Sequence, residues 1–148
     1  MNKVNHIGYI VKDVDKAMEL FNKSFGVQNW KVIELTPPNI YDATYYGENV
    51  EHSFKAAKTT IDDLSIELIM PLSGKSVYSK FLEERGEGIH HIAKIYTEEE
   101  EFKLAVDKYV KHGGKIIQSG RCKLENGGES HYYYIEKDAL VLEVLFRK

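Results

Sequence analysis

The stretch HHIAKIYTEEEEFKLAVDKYVKHGG (His90–Gly114) repeats the pattern of NHIGYIVKDVDKAMELFNKSFGV (Asn5–Val27). Each stretch opens with histidine, isoleucine and a small residue in a short apolar run, which is typical of a β-strand. Each then continues into an amphipathic segment with helical spacing, and this segment ends at a glycine, Gly26 or Gly113. The recurrence indicates a two-fold internal duplication.

Three further strand-like runs follow each predicted helix. In the first half they are WKVIEL, FKAAKTTI and SIELIM, and in the second half they are KIIQ, SHYYYIE and LVLEVLF. Each half therefore reads as βαβββ, and a short additional helix is predicted for residues 76–84 between the halves. The sequence predicts an α+β fold in which residues 1–148 form one domain of two modules, about 1–72 and 87–148.

The two adjacent histidines at the start of the second stretch are not equivalent. Consecutive side chains of a strand point to opposite faces, so His90 and His91 are predicted to face opposite sides. The alignment of the two halves pairs His91 with His6, whereas His90 is expected to face the helix-covered side or the strand's end. The small residues Gly8 and Ala93 would leave room for a bound group beside the paired histidines.

Two glutamates also occupy matching places in the two halves. Glu67 lies within SIELIM and Glu143 within LVLEVLF, in each case between large apolar residues. A carboxylate is costly to bury there unless it is paired or coordinated. Either glutamate alone would more often be an edge residue or a salt-bridge partner, but two histidines and two glutamates at matching positions favour a common site. Such a set suits one divalent ion, with Co, Ni, Zn, Mn and Fe all acceptable.

Composition and charge exclude several classes of protein. The apolar fraction of 43%, the charged fraction of 29% and the net charge of −3 describe an ordinary globular chain without the basic surface of a nucleic-acid-binding protein. The single cysteine, Cys122, rules out an internal disulfide and fits a reducing compartment. The apolar run in MNKVNHIGYIV is too short for a signal peptide or a membrane span. We therefore expect a cytoplasmic protein that acts on a small molecule, with neither nucleic acid nor membrane as partner.

Several segments resemble the vicinal oxygen chelate superfamily, which includes glyoxalase I, methylmalonyl-CoA epimerase, extradiol dioxygenases and the bleomycin-resistance proteins. The resembling segments are VNHIGYIVKDVDKAMELF, IELIMPL and KFLEERGEGIHHIA, and the last two are most similar to methylmalonyl-CoA epimerases and related glyoxalase-like proteins. The resemblance implies a curved, eight-stranded mixed sheet of two βαβββ modules around a metal site, and a homodimer. Carried over residue by residue, it implies the metal ligands His6, Glu67, His91 and Glu143.

The implied activity is that of a metal-dependent isomerase or epimerase at a carbon next to a carbonyl. The resemblance favours an epimerase of the methylmalonyl-CoA type, with an acyl-CoA thioester substrate and an enolate intermediate. Glu143 and Glu67 are the predicted acid/base residues, and Glu51 is a weaker candidate. The alternatives are an enzyme similar to glyoxalase I (lactoylglutathione lyase) and a non-catalytic small-molecule-binding protein. An extradiol dioxygenase would use two histidines and one carboxylate, so four candidate ligands disfavour it.

Two departures from the epimerase pattern leave the substrate open between a CoA thioester and a thiol adduct of a 2-oxoaldehyde. Residues 36–49, TPPNIYDATYYGEN, make the connection in the first half longer than in typical epimerases. The last strand follows EKDAL instead of the His-Pro and Gly-Val pairs that often precede it.

Overall fold

Within residues 3–148, which the computed structural model describes, a ten-stranded mixed sheet carries three helices. Met1 and Asn2, which open the first predicted module, lie outside the described residues. The helices are α1 (Val14–Phe25), α2 (Val77–Arg85) and α3 (Glu99–Lys111). The strands are β1 (Val4–Ile10), β2 (Lys31–Leu35), β3 (Ile40–Tyr45), β4 (Glu48–Asn49), β5 (Ser53–Ile61), β6 (Leu64–Ser73), β7 (Gly88–Tyr96), β8 (Lys115–Lys123), β9 (Glu129–Lys137) and β10 (Leu140–Arg147).

The order of the strands follows the internal duplication. It runs β2-β5-β6-β1-β7-β10-β9-β8-β3-β4, and the two first strands, β1 and β7, pair antiparallel at its middle. In the first half, β6 lies parallel to β1 and is followed outward by β5 and β2. In the second half, β10 lies parallel to β7 and is followed outward by β9 and β8. The predicted α+β fold with a curved mixed sheet is confirmed.

The predicted number of eight strands is wrong, because the insertion at residues 36–49 contributes two more. Strands β3 and β4 form a hairpin around Tyr46 and Gly47, whose φ values of 51° and 82° suit a two-residue turn. The hairpin pairs with β8, at the opposite end of the sheet from β2. Only residues 36–39 join β2 to β3, and such a link spans at most about 18 Å. The sheet therefore curls until its two ends approach each other.

Helices α1 and α3 cover the convex face of the sheet, one on each half. Helix α1 begins after Asp13, whose side chain accepts hydrogen bonds from the backbone N–H groups of Asp15 and Lys16. It ends at Gly26, whose φ of 67° is readily adopted by glycine. The buried strand residues in the cluster under α1 are Ala57 and Leu68, and those in the cluster under α3 are Tyr96, Ile135 and Val144.

The concave face holds a separate core, and α2 contributes Val77 and Tyr78 to it. Strand alternation decides which side chains reach this face. On β6, Leu68 packs under α1 and Ile69 belongs to the concave core, so Glu67 also points to the concave side. Glu143 points there for the same reason, because its neighbour Val144 packs under α3.

None of the helices within residues 3–148 is long and apolar enough to cross a membrane. The single domain of residues 1–148 with modules at about 1–72 and 87–148 stays a prediction, and so do the homodimer and the cytoplasmic location.

His52 is a buried histidine of the concave core whose protonation links stability to pH. Its ring stacks on Phe54 and its Nε2 lies 3.3 Å from the hydroxyl of Tyr132. Burial lowers the pKa of His52 from 6.5 to about 4. As the pH falls through 6.5, the unfolded chain binds a proton at this residue before the folded protein does. The free energy of unfolding therefore falls between pH 6.5 and about pH 4. The loss due to His52 is on the order of 3 kcal/mol.

Replacing His52 with phenylalanine is expected to flatten the acid limb of the stability curve. Urea unfolding at pH 7, 5.5 and 4, with a chelator present, measures the free energy of unfolding. The variant should lose on the order of 3 kcal/mol less than the wild type between pH 7 and pH 4. His112→Gln is the control because His112 is exposed, and its curve should follow that of the wild type. Parallel curves for His52→Phe and wild type would contradict the prediction.

Candidate metal centre

Three of the four predicted ligands converge on the concave face. The Oε2 atom of Glu143 lies 3.0 Å from Nε2 of His91 and 3.3 Å from Nε2 of His6. One ligand atom from each residue lies within 4.8 Å of the others, and all three residues are buried. Metal–ligand bonds of about 2.1 Å would separate neighbouring ligand atoms by about 3.0–3.4 Å. The spacing therefore suits one divalent ion.

Glu67 lies at the solvent side of this cluster. Its Oε2 atom is 4.0 Å from Nε2 of His6, and 18% of its side chain is exposed, compared with 8% for Glu143. The fold therefore brings all four side chains to one place but holds the two glutamates differently. Glu143 is enclosed by the two imidazoles, whereas Glu67 borders the cluster and remains accessible.

The pairing of β1 with β7 places each histidine opposite the small residue of the other half. His6 faces Ala93 and His91 faces Gly8 across the two strands. A Cβ atom on Gly8 would lie 2.0 Å from Cε1 of His91. Gly8 thus makes room for the imidazole of His91, and the expectation that it leaves room for a bound group is wrong.

Replacing Gly8 with alanine is expected to displace the His91 ring and to weaken metal binding by about 10- to 100-fold, the range found when the support of a ligand is lost. Titration calorimetry of the metal-free protein with Zn²⁺ measures this change. Gly88→Ala is the matched control, because a Cβ there would meet Phe81 at an ordinary distance of 3.9 Å. Equal affinities of Gly8→Ala and Gly88→Ala would contradict the prediction.

His90 and His91 both turn toward the concave side. The register between β1 and β7 shifts after the pair of Gly8 and His91, which leaves His90 as the extra residue of a β-bulge. Both rings pack against Tyr134, with centroid distances of 5.8 Å for His90 and 5.0 Å for His91. The prediction that the two histidines face opposite sides is wrong because the bulge interrupts the alternation.

A hydrogen-bond chain from Lys58 through Asn5 ends at Nδ1 of His6, the ring nitrogen that faces away from the cluster. The Oδ1 atom of Asn5 lies 2.8 Å from Nδ1 of His6 and accepts a hydrogen bond of 2.8 Å from Nζ of Lys58. Because the ammonium is only a donor, the atom between them is the amide oxygen, and the imidazole must donate from Nδ1. In the neutral ring, Nε2 then presents its lone pair to the cluster. Sequence reasoning missed Asn5, which strand alternation would place on the opposite face from His6.

The two histidine neighbours of Glu143 influence its charge in the metal-free protein. Burial favours the neutral acid, but without a bound ion the interactions with protonated His6 and His91 outweigh it and hold the pKa of Glu143 below its usual range. Within residues 3–148, the buried polar atoms without a regular hydrogen-bond partner include Nε2 of His6, Nε2 of His91 and Oε2 of Glu143. The two Nε2 atoms lie close to Oε2, but not in a direction that makes a hydrogen bond. Three buried polar atoms directed at one another in this way fit a cation-binding centre.

The two glutamates have different neighbours across the sheet. Glu143 is opposite Tyr134, whose hydroxyl lies 2.7 Å from that of Tyr78. Burial is the main reason that the pKa of Tyr134 lies well above its usual value, so this phenol stays neutral. Glu67 is opposite Lys58. The accessible side of the cluster therefore carries a cationic residue, and the enclosed side carries neutral phenols.

A family model supports the resemblance seen in the sequence. The model of the glyoxalase/bleomycin resistance protein/dioxygenase superfamily matches residues 5–134. The chain belongs to this superfamily. The matched residues include His6, Glu67 and His91, whereas Glu143 lies beyond them on β10.

Several proteins with solved structures share the fold over nearly the whole chain. The hypothetical protein BH1468 from Bacillus halodurans C-125 is 25% identical, with a TM-score of 0.64 over 99% of this chain and 95% of that one. Methylmalonyl-CoA epimerase from Mycobacterium tuberculosis is 19% identical, with a TM-score of 0.64 over 98% and 87%. A variant of the Streptomyces coelicolor epimerase, in complex with 2-nitronate-propionyl-CoA, is 18% identical, with a TM-score of 0.63 over 99% and 97%. At these identities the likeness to both epimerases shows a common fold.

A curated relative covers a shorter region. The uncharacterized protein YqjC of Bacillus subtilis (strain 168) is 29% identical over 93 residues, which make up 63% of this chain. The matched region is 56% of YqjC, so the chain spans little more than half the length of this relative.

Proposed function

We propose that this superfamily member is a metal-dependent isomerase that moves a proton at a carbon next to a carbonyl. The proposed reaction is the epimerisation of a 2-substituted malonyl thioester, with methylmalonyl-CoA as the substrate to test. The observation that carries the proposal is the buried convergence of His6, His91 and Glu143, with Glu67 on the accessible side. The fold shared with methylmalonyl-CoA epimerases supports the choice of an acyl-CoA thioester.

In this proposal His6, His91 and Glu143 hold a divalent ion, and Glu67 completes the ligand set. When bound, the ion supplies Lewis-acid stabilisation, worth several kcal/mol, to negative charge developing on a substrate carbonyl oxygen. Two imidazoles and two carboxylates accept Co, Ni, Zn, Mn or Fe. Asn5 and His90 contact the second nitrogens of the two histidine ligands.

Glu67 is the better placed of the two predicted acid/base residues. It is the more exposed carboxylate, so a substrate that enters from this side meets it first. Glu143 lies between the two imidazoles, with only 8% of its side chain exposed, so it is less accessible to a substrate. We therefore assign the removal of the substrate proton to Glu67, and we assign Glu143, on the enclosed side, to the opposite face of the substrate carbon. Glu51 is exposed and has no part in this proposal.

Lys58 gives the accessible side a charge that suits an anionic substrate. It lies opposite Glu67 on β5, and burial lowers its pKa although the nearby Glu67 and Glu143 carboxylates oppose this shift. Two carboxylates and a divalent ion cancel in charge, so the ammonium leaves the site net positive. A substrate with a carboxylate beside its thioester carbonyl complements such a site.

Deuterium exchange tests the proposed reaction. Incubation of one methylmalonyl-CoA epimer in heavy water with metal-loaded protein should label the 2-carbon and produce the other epimer, and the metal-free protein should do neither. Mass spectrometry and chiral separation measure the two outcomes. Turnover of the hemithioacetal of methylglyoxal and glutathione, without exchange in methylmalonyl-CoA, would replace the proposal with the glyoxalase I-like alternative. Binding of either compound without turnover would favour a non-catalytic binding protein.

A further inference from the structure

The residue directly before each histidine of the cluster reaches that histidine's second ring nitrogen. Asn5 Oδ1 lies 2.8 Å from Nδ1 of His6, and Nδ1 of His90 lies 2.9 Å from Nδ1 of His91. Neighbouring side chains on a regular strand point apart and cannot make such contacts. Both contacts therefore require a local departure from regular strand geometry.

Two β-bulges supply this departure, one in each half. The register between β1 and β7 shifts from the pair of Val4 and Lys94 to that of His6 and Ala93, which leaves Asn5 as the extra residue on β1. At the symmetric place on β7, His90 is the extra residue. A bulge redirects one side chain, and bulges are over-represented next to active sites. The same device thus occurs in both halves with different residues.

We propose that Asn5 and His90 are paired positioning residues, which hold His6 and His91 with the proton on Nδ1 and the lone pair of Nε2 directed into the cluster. This inference rests on the proposed metal centre. Asn5 acts through its amide oxygen. Two imidazole nitrogens at 2.9 Å must be one donor and one acceptor. With Nε2 of His91 used as a ligand, Nδ1 of His91 donates and Nδ1 of His90 accepts, so His90 carries its own proton on Nε2.

The surroundings of His90 hold the ring in the orientation that this role needs. The ring is buried and packs edge-on against Phe81 of α2, with a centroid distance of 5.1 Å, and against Tyr78 at 6.2 Å. His90 also lines a crevice of about 120 Å³ beside α2, together with Lys80, Arg85 and Val141. The ring is thus clamped between α2 and His91, and it connects the cluster to a polar crevice on the other side.

The symmetry of the two halves predicts which substitution restores the function. Asparagine already performs this role at position 5, so His90→Asn should support His91, because its Oδ1 atom can accept the same hydrogen bond. His90→Leu fills much of the space but has no acceptor. The affinity for Co²⁺, measured by competition with a chromophoric chelator, should fall about 10- to 100-fold in His90→Leu. His90→Asn should recover most of this loss, and Asn5→Leu should reproduce it in the first half.

Two spectroscopic signals separate positioning from packing. The visible absorption bands of bound Co²⁺ should change in His90→Leu and return in His90→Asn. In the Zn²⁺-loaded wild type, ¹⁵N NMR of labelled histidines should place the proton of His91 on Nδ1 and that of His90 on Nε2. His131→Leu is the control, because His131 also packs against an aromatic ring but under α3, and its Co²⁺ affinity and spectrum should match the wild type.

Three results would overturn the inference: wild-type affinity in His90→Leu, an equal loss in His90→Asn and His90→Leu, or a proton on Nδ1 of His90 in the Zn²⁺-loaded protein. All of these measurements are made without substrate. Their outcome is therefore independent of the exchange assay with methylmalonyl-CoA, whose failure would remove the proposed reaction and leave the positioning role of Asn5 and His90 intact.

Discussion

Replacement of both His6 and His91 by alanine is expected to lower the affinity for Co²⁺ or Zn²⁺ by on the order of 1,000-fold or more and to abolish isomerase activity. Loss of an outer-shell partner alone costs about 10- to 100-fold in affinity, and a direct ligand contributes more. Titration calorimetry and metal analysis after dialysis measure the change. The matched control is the double variant His112→Ala and His131→Ala, which removes two histidines outside the cluster and should retain the metal.

Folding of the double variant needs a separate check, because it leaves Glu143 as a buried carboxylate without its two partners. Such a loss costs about 3–5 kcal/mol. Adding Glu143→Gln removes the charge and should recover part of the stability while leaving metal binding absent. Far-UV circular dichroism establishes that each variant is folded before its metal content is compared. A folded double variant that keeps wild-type affinity would show that the metal lies elsewhere.

Glu67→Gln is expected to separate proton transfer from metal binding. Without the carboxylate that we assign as the base, the rate of deuterium exchange into the substrate should fall by about 10²- to 10⁴-fold. The affinity for Co²⁺ should fall much less, because Glu67 lies 4.0 Å from His6 at the rim of the cluster. In Glu143→Gln the affinity for Co²⁺ should fall more than the exchange rate does, because this carboxylate lies between both imidazoles.

Parallel measurements of exchange rate and Co²⁺ affinity on both variants test this separation. Glu34→Gln is the control, because Glu34 is an exposed glutamate on the edge strand β2, and both quantities should remain at the wild-type level. If Glu67→Gln retained the wild-type exchange rate, the assignment of the base would be wrong. If Glu143→Gln retained wild-type affinity, Glu143 would not be a principal ligand.

The amino-acid sequence by itself determined the repeated βαβββ order and singled out the four predicted site residues. Periodicity along a strand or helix depends on neighbouring residues of one segment, so it can be read without knowledge of the partners. Glu67 could be matched with Glu143, and His6 with His91, for the same reason. The two halves show the same order of strand and helix patterns, so equivalent positions can be aligned. A polar residue in an apolar strand at equivalent places was the signal that selected each of them.

Only the tertiary structure decided the features that depend on pairing between distant segments. The hairpin of residues 36–49 pairs with β8, and nothing in its own pattern specifies that partner. The need for glycine at position 8 comes from the ring of His91 on another strand. The bulges that turn Asn5 and His90 inward exist only in the register between β1 and β7. Register depends on which strands pair and how the sheet curls. A bulge residue is defined by the pairing of two strands, so the alternation within one strand cannot predict it.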